Sequence, residues 1–323
     1  MISIIITTNK EPKSLPQAIQ SFLDSNLLKA DDEILVVGPD EESEKIAKEF
    51  QIRFPVIKYL KDEGKGKPAA LNLAFQQARG EILILSDGDV KIKKEDLEYL
   101  TAPFSTSEFH SDAQTYADET QTYTDNFSVS QRQVGVSPLF AEGKVGAVSG
   151  QPISTSSRNN LFGYWSHFLT FAAHQMRLKN KNFPCSGYLF AVLKKIIDQI
   201  PENMLAEDAV ITQMVRNQGY QVVYAPQAKV YIKYPNNFKD WLRQKIRSTG
   251  GYTQKESGKT RALDQEISDG IKLFFTYPEN LKEFFWTILL YLARIYLWLA
   301  IFWQIKIRKK TFAHIWQRIE STK

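Results

Sequence analysis

Glu81-Ile82-Leu83-Ile84-Leu85-Ser86-Asp87-Gly88-Asp89 is a short apolar run that leads straight into two carboxylates on a tight turn. An apolar stretch this short, bounded by turn residues, fits a strand buried on both faces, and Asp-Gly is a turn-forming pair. Two carboxylates at such a strand end can share a hard divalent cation and leave coordination positions for phosphate oxygens. The triplet alone would also suit an ordinary Asp-Gly turn. Its place directly after the strand is what favours the cation.

The residues upstream set this strand in a larger pattern. Residues 2–7, 33–38 and 55–60 read as strands, separated by helical stretches over 14–23 and 40–50, the second with an acidic first turn that suits the helix dipole. Lys67-Pro68-Ala69 opens a further helix, with proline in its first turn and Gly80 just past its end. This alternation predicts an α/β fold, a mostly parallel sheet flanked by helices. In such sheets ligands bind beyond the carboxyl ends of the strands. Polar residues collect at those ends: Thr7-Thr8-Asn9-Lys10-Glu11, Gly38-Pro39-Asp40, and Asp62 followed by Gly64-Lys65-Gly66-Lys67. The last loop lacks P-loop spacing, but its amides and lysines before a helix suit an anion.

Downstream, residues 103–138 are rich in Ser, Thr, Gln and Asp and read as a mobile polar insertion. Strands are expected over 145–149, 188–193 and 221–224. Helices are expected over 160–177 (aromatic-rich), 208–218 (stopped by Gly219) and 238–248 (basic). Glu207-Asp208 would by itself serve as an acidic first turn. Gln244 and Arg247, three apart, share one helical face.

Taken together, Thr7 to Glu11, Gly64-Lys65-Gly66-Lys67-Pro68-Ala69-Ala70-Leu71-Asn72 and Ser86-Asp87-Gly88-Asp89 resemble the donor half of a family-2 glycosyltransferase with the GT-A fold. The resemblance extends to the second half. Val148-Ser149-Gly150 resembles the family's strand after the donor site, Cys185-Ser186-Gly187-Tyr188 its acceptor loop and Ala206-Glu207-Asp208 its Thr-Glu-Asp motif, while Gln244-Lys245-Ile246-Arg247 resembles the start of the Gln-x-x-Arg-Trp motif of membrane polysaccharide synthases, the cellulose, hyaluronan and poly-N-acetylglucosamine group. It implies metal-dependent, inverting transfer of a sugar from a nucleoside diphosphate, most readily a UDP-sugar, to a lipid-linked or glycan acceptor. Under it, Thr8, Glu11, Asp40, Asp62, Lys67, Asp87, Gln244 and Arg247 would contact the donor. Asp87 and Asp89 would hold Mg2+ or Mn2+, and Asp208 would be the general base. Two departures are visible: Gly38 stands where the family often has aspartate, and Ser248 stands where the last motif has tryptophan. The second weakens the expectation of processive synthesis.

Two other functions fit parts of the pattern. A sugar-nucleotide nucleotidyltransferase also places an acidic metal site on a parallel sheet, but it would want a glycine-rich loop after the first strand, and Thr7 to Glu11 has no glycine. A non-catalytic nucleotide-sugar-binding membrane protein would not need Asp87, Asp89 and Asp208 together.

Composition narrows the setting. The 323 residues carry a formal charge of +5 and one cysteine, Cys185, so no internal disulfide can form and a reducing compartment is expected. No nucleic-acid partner is expected, since the basic residues gather at the carboxyl end without aromatics on a sheet face. The expected organisation is a catalytic domain over 1–250, a linking segment over 251–283 and a membrane helix with basic tail over 284–323. Residues 284–303 are long and apolar enough to span a bilayer, but Arg294 lies near the middle. Two Lys/Arg occur in the twenty residues before and six in the twenty after. That bias favours a cytosolic tail, whereas the donor wants the catalytic part in the cytosol, and a single span cannot satisfy both. A helix lying in the interface, anchored by Trp286, Trp298 and Trp303, would resolve the conflict. The expected location is the cell membrane with the catalytic part on its cytoplasmic side.

Overall fold

Ile2–Thr7 (β1), Glu33–Gly38 (β2), Ile57–Lys61 (β3) and Ile82–Asp87 (β4) form from the apolar runs and pair in parallel in the order β3-β2-β1-β4. The computed structural model describes residues 1–25, 27–105, 144–180, 182–204, 206–251, 263–303 and 322. The insertion expected over 103–138 lies outside them except for 103–105, which end a helix rather than begin a mobile segment, and the basic tail over 304–321 lies outside them as well. The crossovers are Leu15–Leu23 (α1), Glu41–Arg53 (α2) and Lys67–Gln77 (α3). Ile4, Ile6 and Val36 pack with α1 and α2, while Ile5, Leu35 and Leu83 pack with α3. Helices on both faces explain why these strands are apolar without alternation.

Beyond β4 the sheet becomes mixed. Leu189–Leu193 (β7) runs antiparallel to β4, Val145–Ser154 (β6) pairs antiparallel with β7, and Gln221–Ile232 (β8) runs parallel to β6. Val90–Lys91 (β5) closes the edge antiparallel to β8, giving eight strands among the described residues. β6 and β8 run longer than their apolar stretches suggest. Ser149 pairs with Tyr224, yet Gln151 pairs with Lys229, so a bulge containing Pro226 interrupts the periodicity. The helix Asp96–Ser105 (α4) is also absent from the sequence reading. Its first residue anchors it, as Asp96 accepts from the amides of Lys93 (2.5 Å) and Lys229 (3.0 Å).

The remaining helices are Leu161–Lys179 (α5), Glu207–Asn217 (α6), Phe238–Gly251 (α7), Leu263–Thr276 (α8) and Leu281–Phe302 (α9). α8 falls within the stretch read as a linking segment. Tyr164, Trp165 and Phe168 of α5 form a third apolar cluster with Trp241 and Ile246 of α7 and with Leu290, Ala293, Leu297 and Ile301 of α9. Its polar atoms are satisfied inside it: the Tyr164 hydroxyl meets Thr287 Oγ1 at 2.7 Å, and Trp165 Nε1 donates to the Trp286 carbonyl at 2.9 Å. The α5 aromatics therefore serve mainly as the seat of α9. The opposite side of α9 exposes Phe285, Leu292, Ile295, Tyr296, Trp298 and Leu299.

One ion pair ties the first turn of α9 to the body. Arg158 grips Glu283 through two hydrogen bonds of 2.9 and 2.8 Å, pairs with Glu279 at 2.8 Å, and lies over the Tyr277 ring. A bidentate pair outweighs a surface contact, but partial exposure of the arginine limits its worth. Arg158→Ala is expected to cost about 1–2 kcal/mol, read as a lower urea midpoint with unchanged slope. An unchanged midpoint would mean that apolar contact alone holds α9.

Candidate active site

The carboxyl ends of β1, β2 and β4 open into one cleft of about 490 Å3. Thr7, Thr8, Glu11, Asp62, Lys67, Asp87 and Asp89 line it together with Ser186 to Tyr188, Glu207, Asp208, Gln244 and Arg247. All the site residues expected from the sequence meet here except Asp40.

Asp40 is committed elsewhere. Its carboxylate caps α2 through the Ser43 amide at 3.0 Å and accepts from the Lys10 amide at 2.8 Å. Burial alone would raise its pKa, but these hydrogen bonds outweigh it and hold the group below the usual carboxylate range. The neighbouring Gly38 has a steric reason. A Cβ there would stand 2.8 Å from the Thr8 carbonyl oxygen and 2.9 Å from its methyl, so an aspartate would not fit without moving Thr8. Asp62, which does line the cleft, accepts from the Gly64 amide at 2.5 Å. Burial, aided by the charges of Asp40 and Glu63, leaves Asp62 above its ordinary range.

The carboxylate turn is packed against the end of β1. The Gly88 amide donates to the Thr7 carbonyl at 2.8 Å, and a Cβ on Gly88 would lie 2.5 Å from Glu11 Oε2 and 2.9 Å from Thr8 Cβ, so a larger residue between the two aspartates would displace Thr8 and Glu11. Glu11 is held in turn by the Thr8 hydroxyl at 3.2 Å. Lys67 pairs with Asp87 Oδ1 at 2.7 Å and with Glu207 Oε1 at 2.6 Å. Burial would lower the Lys67 pKa, but the two carboxylates outweigh it and keep the ammonium above its ordinary range. Among the described residues no group of three or more His, Cys, Asp or Glu side chains could hold a metal. A pair such as Asp87 and Asp89 nevertheless fits Mg2+ or Mn2+, because such cations take one or two carboxylates and fill the remaining positions with phosphate oxygens and water.

Asp208 lines the cleft from the first turn of α6. The loop before β7 is fixed by three side chains: Cys185 N donates to Thr212 Oγ1 (3.0 Å), Ser186 N to Ser149 Oγ (2.8 Å), and Gly187 N to Asp208 Oδ2 (3.1 Å). The other carboxylate oxygen accepts from the Ala209 amide at 2.9 Å. Burial and the adjacent Glu207 charge push Asp208 up to about 6, against the pull of Lys67. A carboxylate poised near neutrality in the cleft suits proton abstraction.

Gln244 donates to the Tyr188 hydroxyl at 3.3 Å, while its own carbonyl oxygen is buried without a partner among the described residues. Among the lining residues that sequence reasoning did not single out are Thr170, Ala173 and Arg177 of α5, and Lys233 beyond the end of β8. The spacing of three and four between Thr170, Ala173 and Arg177 marks a helical face distinct from the aromatic one, and that spacing could have found them.

Residues 3–200 match the family described as Glycosyl transferase family 2, and residues 135–308 match Glycosyl transferase family group 2. A curated relative, "Probable glycosyltransferase YdaM" of Bacillus subtilis (strain 168), is 24% identical over 267 residues, which cover 77% of this chain and 54% of the relative. The chain thus spans about half the length of that relative. The solved mannosyltransferase PcManGT from Pyrobaculum calidifontis, in complex with GDP-Man and Mn2+, is similar with a TM-score of 0.51 and 16% identity, over 97% of this chain and 73% of that one. Glucosyl-3-phosphoglycerate synthase from Mycobacterium tuberculosis, in complex with Mn2+, UDP-Glc and phosphoglyceric acid, gives 0.50 and 11%, over 80% of each chain. These likenesses show the fold, GT-A.

Proposed function

The chain belongs to glycosyl transferase family 2, and from that premise we propose that it moves a sugar from a nucleoside diphosphate to an acceptor hydroxyl, with inversion at the anomeric carbon. The observation that carries this is that Asp208 and the Asp87-Gly88-Asp89 turn line one cleft, with Lys67 bridging Asp87 and the neighbouring Glu207. Thr8, Glu11 and Asp62 line the side assigned to the base and ribose of a UDP-sugar, and Lys67, Gln244 and Arg247 face its diphosphate. Asp40 acts from behind, holding the Lys10 amide and the start of α2.

Asp87 and Asp89 would hold Mg2+ or Mn2+, which when bound would neutralise charge on the departing diphosphate. The acceptor oxygen bonds to the anomeric carbon as its proton passes to the Asp208 carboxylate. The bond from that carbon to the diphosphate oxygen breaks, and its electron pair leaves with the diphosphate. One displacement of this kind inverts configuration.

We assign catalysis to residues 1–250, with 251–283 as a connection and 284–323 as the membrane-facing part. Leu281–Phe302 is the one described helix long and apolar enough to cross a membrane. Its packing supports a place in the interface instead. One side is covered by α5 and α7, and the other exposes large apolar and aromatic side chains, as an in-plane helix would. A lipid-linked or glycan acceptor on the cytoplasmic face of the cell membrane would then reach the cleft.

The test is to incubate membranes bearing the protein with a panel of nucleotide-sugars, with and without Mn2+ or Mg2+, and to follow nucleoside diphosphate. Metal-dependent release from a UDP-sugar is expected. Pyrophosphate release from a nucleoside triphosphate and a sugar phosphate would instead indicate nucleotidyl transfer, and donor binding without turnover would indicate a sensor. Extraction of the protein by alkaline carbonate is expected for an interfacial helix, and retention would mean a span.

A further inference from the structure

Arg177 stands in the cleft wall, its charge near enough to Asp208 to favour the carboxylate. It projects from the last turn of α5 and lines the same cleft as Asp208. Among the described residues its Nε is buried without a hydrogen-bond partner, and its one hydrogen bond there, to the Ala173 carbonyl, is a long 3.5 Å. No carboxylate among the described residues pairs with it. The guanidinium is instead held flat by aromatic rings, 4.7 Å from the Phe183 centroid and 5.9 Å from that of Tyr224. Stacking fixes the plane while leaving the in-plane donors for a ligand. Lys233 lines the same cleft and also has no ion pair among the described residues. The cleft thus holds these two cations as well as the carboxylates of Asp87, Asp89 and Asp208.

The Nε of this half-buried guanidinium is a donor left unsatisfied, which is costly unless something completes it. A planar fork of N–H donors matches a phosphate, and a second cation suits a charge near −2. We propose that Arg177, with Lys233, forms a subsite for a phosphate group carried by the acceptor, which turns the acceptor hydroxyl towards Asp208. This rests on the cleft being a sugar-transfer site. The phosphate has two chemical sources, a soluble phosphorylated polyol or a lipid headgroup at the interface beside α9.

The test uses the full chain and binding readouts that need no turnover. Inorganic phosphate and sn-glycerol 3-phosphate are titrated into the parent, Arg177→Gln and Arg177→Lys, with UDP plus Mn2+ titrated separately. Arg177→Gln is expected to weaken phosphate binding at least about tenfold with unchanged UDP affinity, and Arg177→Lys to recover part of it. Thermal midpoints confirm that each variant is folded. Equal phosphate binding by parent and Arg177→Gln overturns the proposal. So does a parallel loss of UDP affinity, which would assign Arg177 to the donor. Sedimentation with phosphatidylglycerol–phosphatidylcholine vesicles separates the sources. Loss of vesicle binding in Arg177→Gln points to a headgroup, and loss confined to glycerol 3-phosphate points to a soluble acceptor; both support the subsite. Absence of nucleoside diphosphate release would sink the transferase reading and leave these measurements standing.

Discussion

Asp208→Asn is expected to lower kcat about 100- to 10,000-fold, the usual contribution of a positioned general base, while donor binding is kept. Asparagine preserves the shape and one acceptor for the amides of Gly187 and Ala209, but it cannot take the acceptor proton. Stability is expected to change little. The folded pKa of about 6 lies above the ordinary 3.8, so the ionised group opposes folding. That penalty is absent below about pH 4, develops as pH rises towards 6, and is fully present at pH 7. Removing the charge relieves it, which offsets the one amide hydrogen bond that asparagine cannot accept. The same pKa fixes a pH profile. In the parent, kcat/KM should be level above about pH 6 and fall tenfold per unit below it, because only the carboxylate form accepts the proton. The residual activity of Asp208→Asn should lack that limb. Full activity in the variant, or an unchanged limb, would remove Asp208 from the role of base.

The strand ends were legible in the sequence because local rules govern them. Apolar runs such as 2–7 and 82–85 need only burial on both faces to become parallel strands, and the polar residues after them fall on the ligand edge by topology. Contacts made at long range were not legible. Lys67 read as part of an anion loop, whereas its bridge to Glu207 depends on how α6 packs against α3. Asp40 read as a donor contact, and its capture by the Lys10 amide depends on the backbone path after β1. The bulge at Pro226 hid half of β8, and α8 was hidden in a segment read as a connection. In each case local preference was decided by a partner distant in sequence.

Asp89→Ala is expected to abolish turnover by a different route. Asp87 Oδ1 is already engaged by Lys67 at 2.7 Å and lies 3.4 Å from the Thr7 hydroxyl, so half of the carboxylate pair is partly neutralised by the protein itself. A divalent cation arriving with a diphosphate needs the second carboxylate, and without Asp89 a single aspartate shared with an ammonium remains. The loss of metal-assisted charge stabilisation should reduce kcat/KM at least about a hundredfold, roughly 2.7 kcal/mol of transition-state stabilisation. Calorimetry with UDP distinguishes this from Asp208→Asn. The parent and Asp208→Asn should bind UDP more tightly with Mn2+ than with a chelator, whereas Asp89→Ala should bind it equally in both. If metal-dependent binding survives in Asp89→Ala, the cation is held elsewhere, and the turn after β4 would be a structural Asp-Gly turn packed against Glu11.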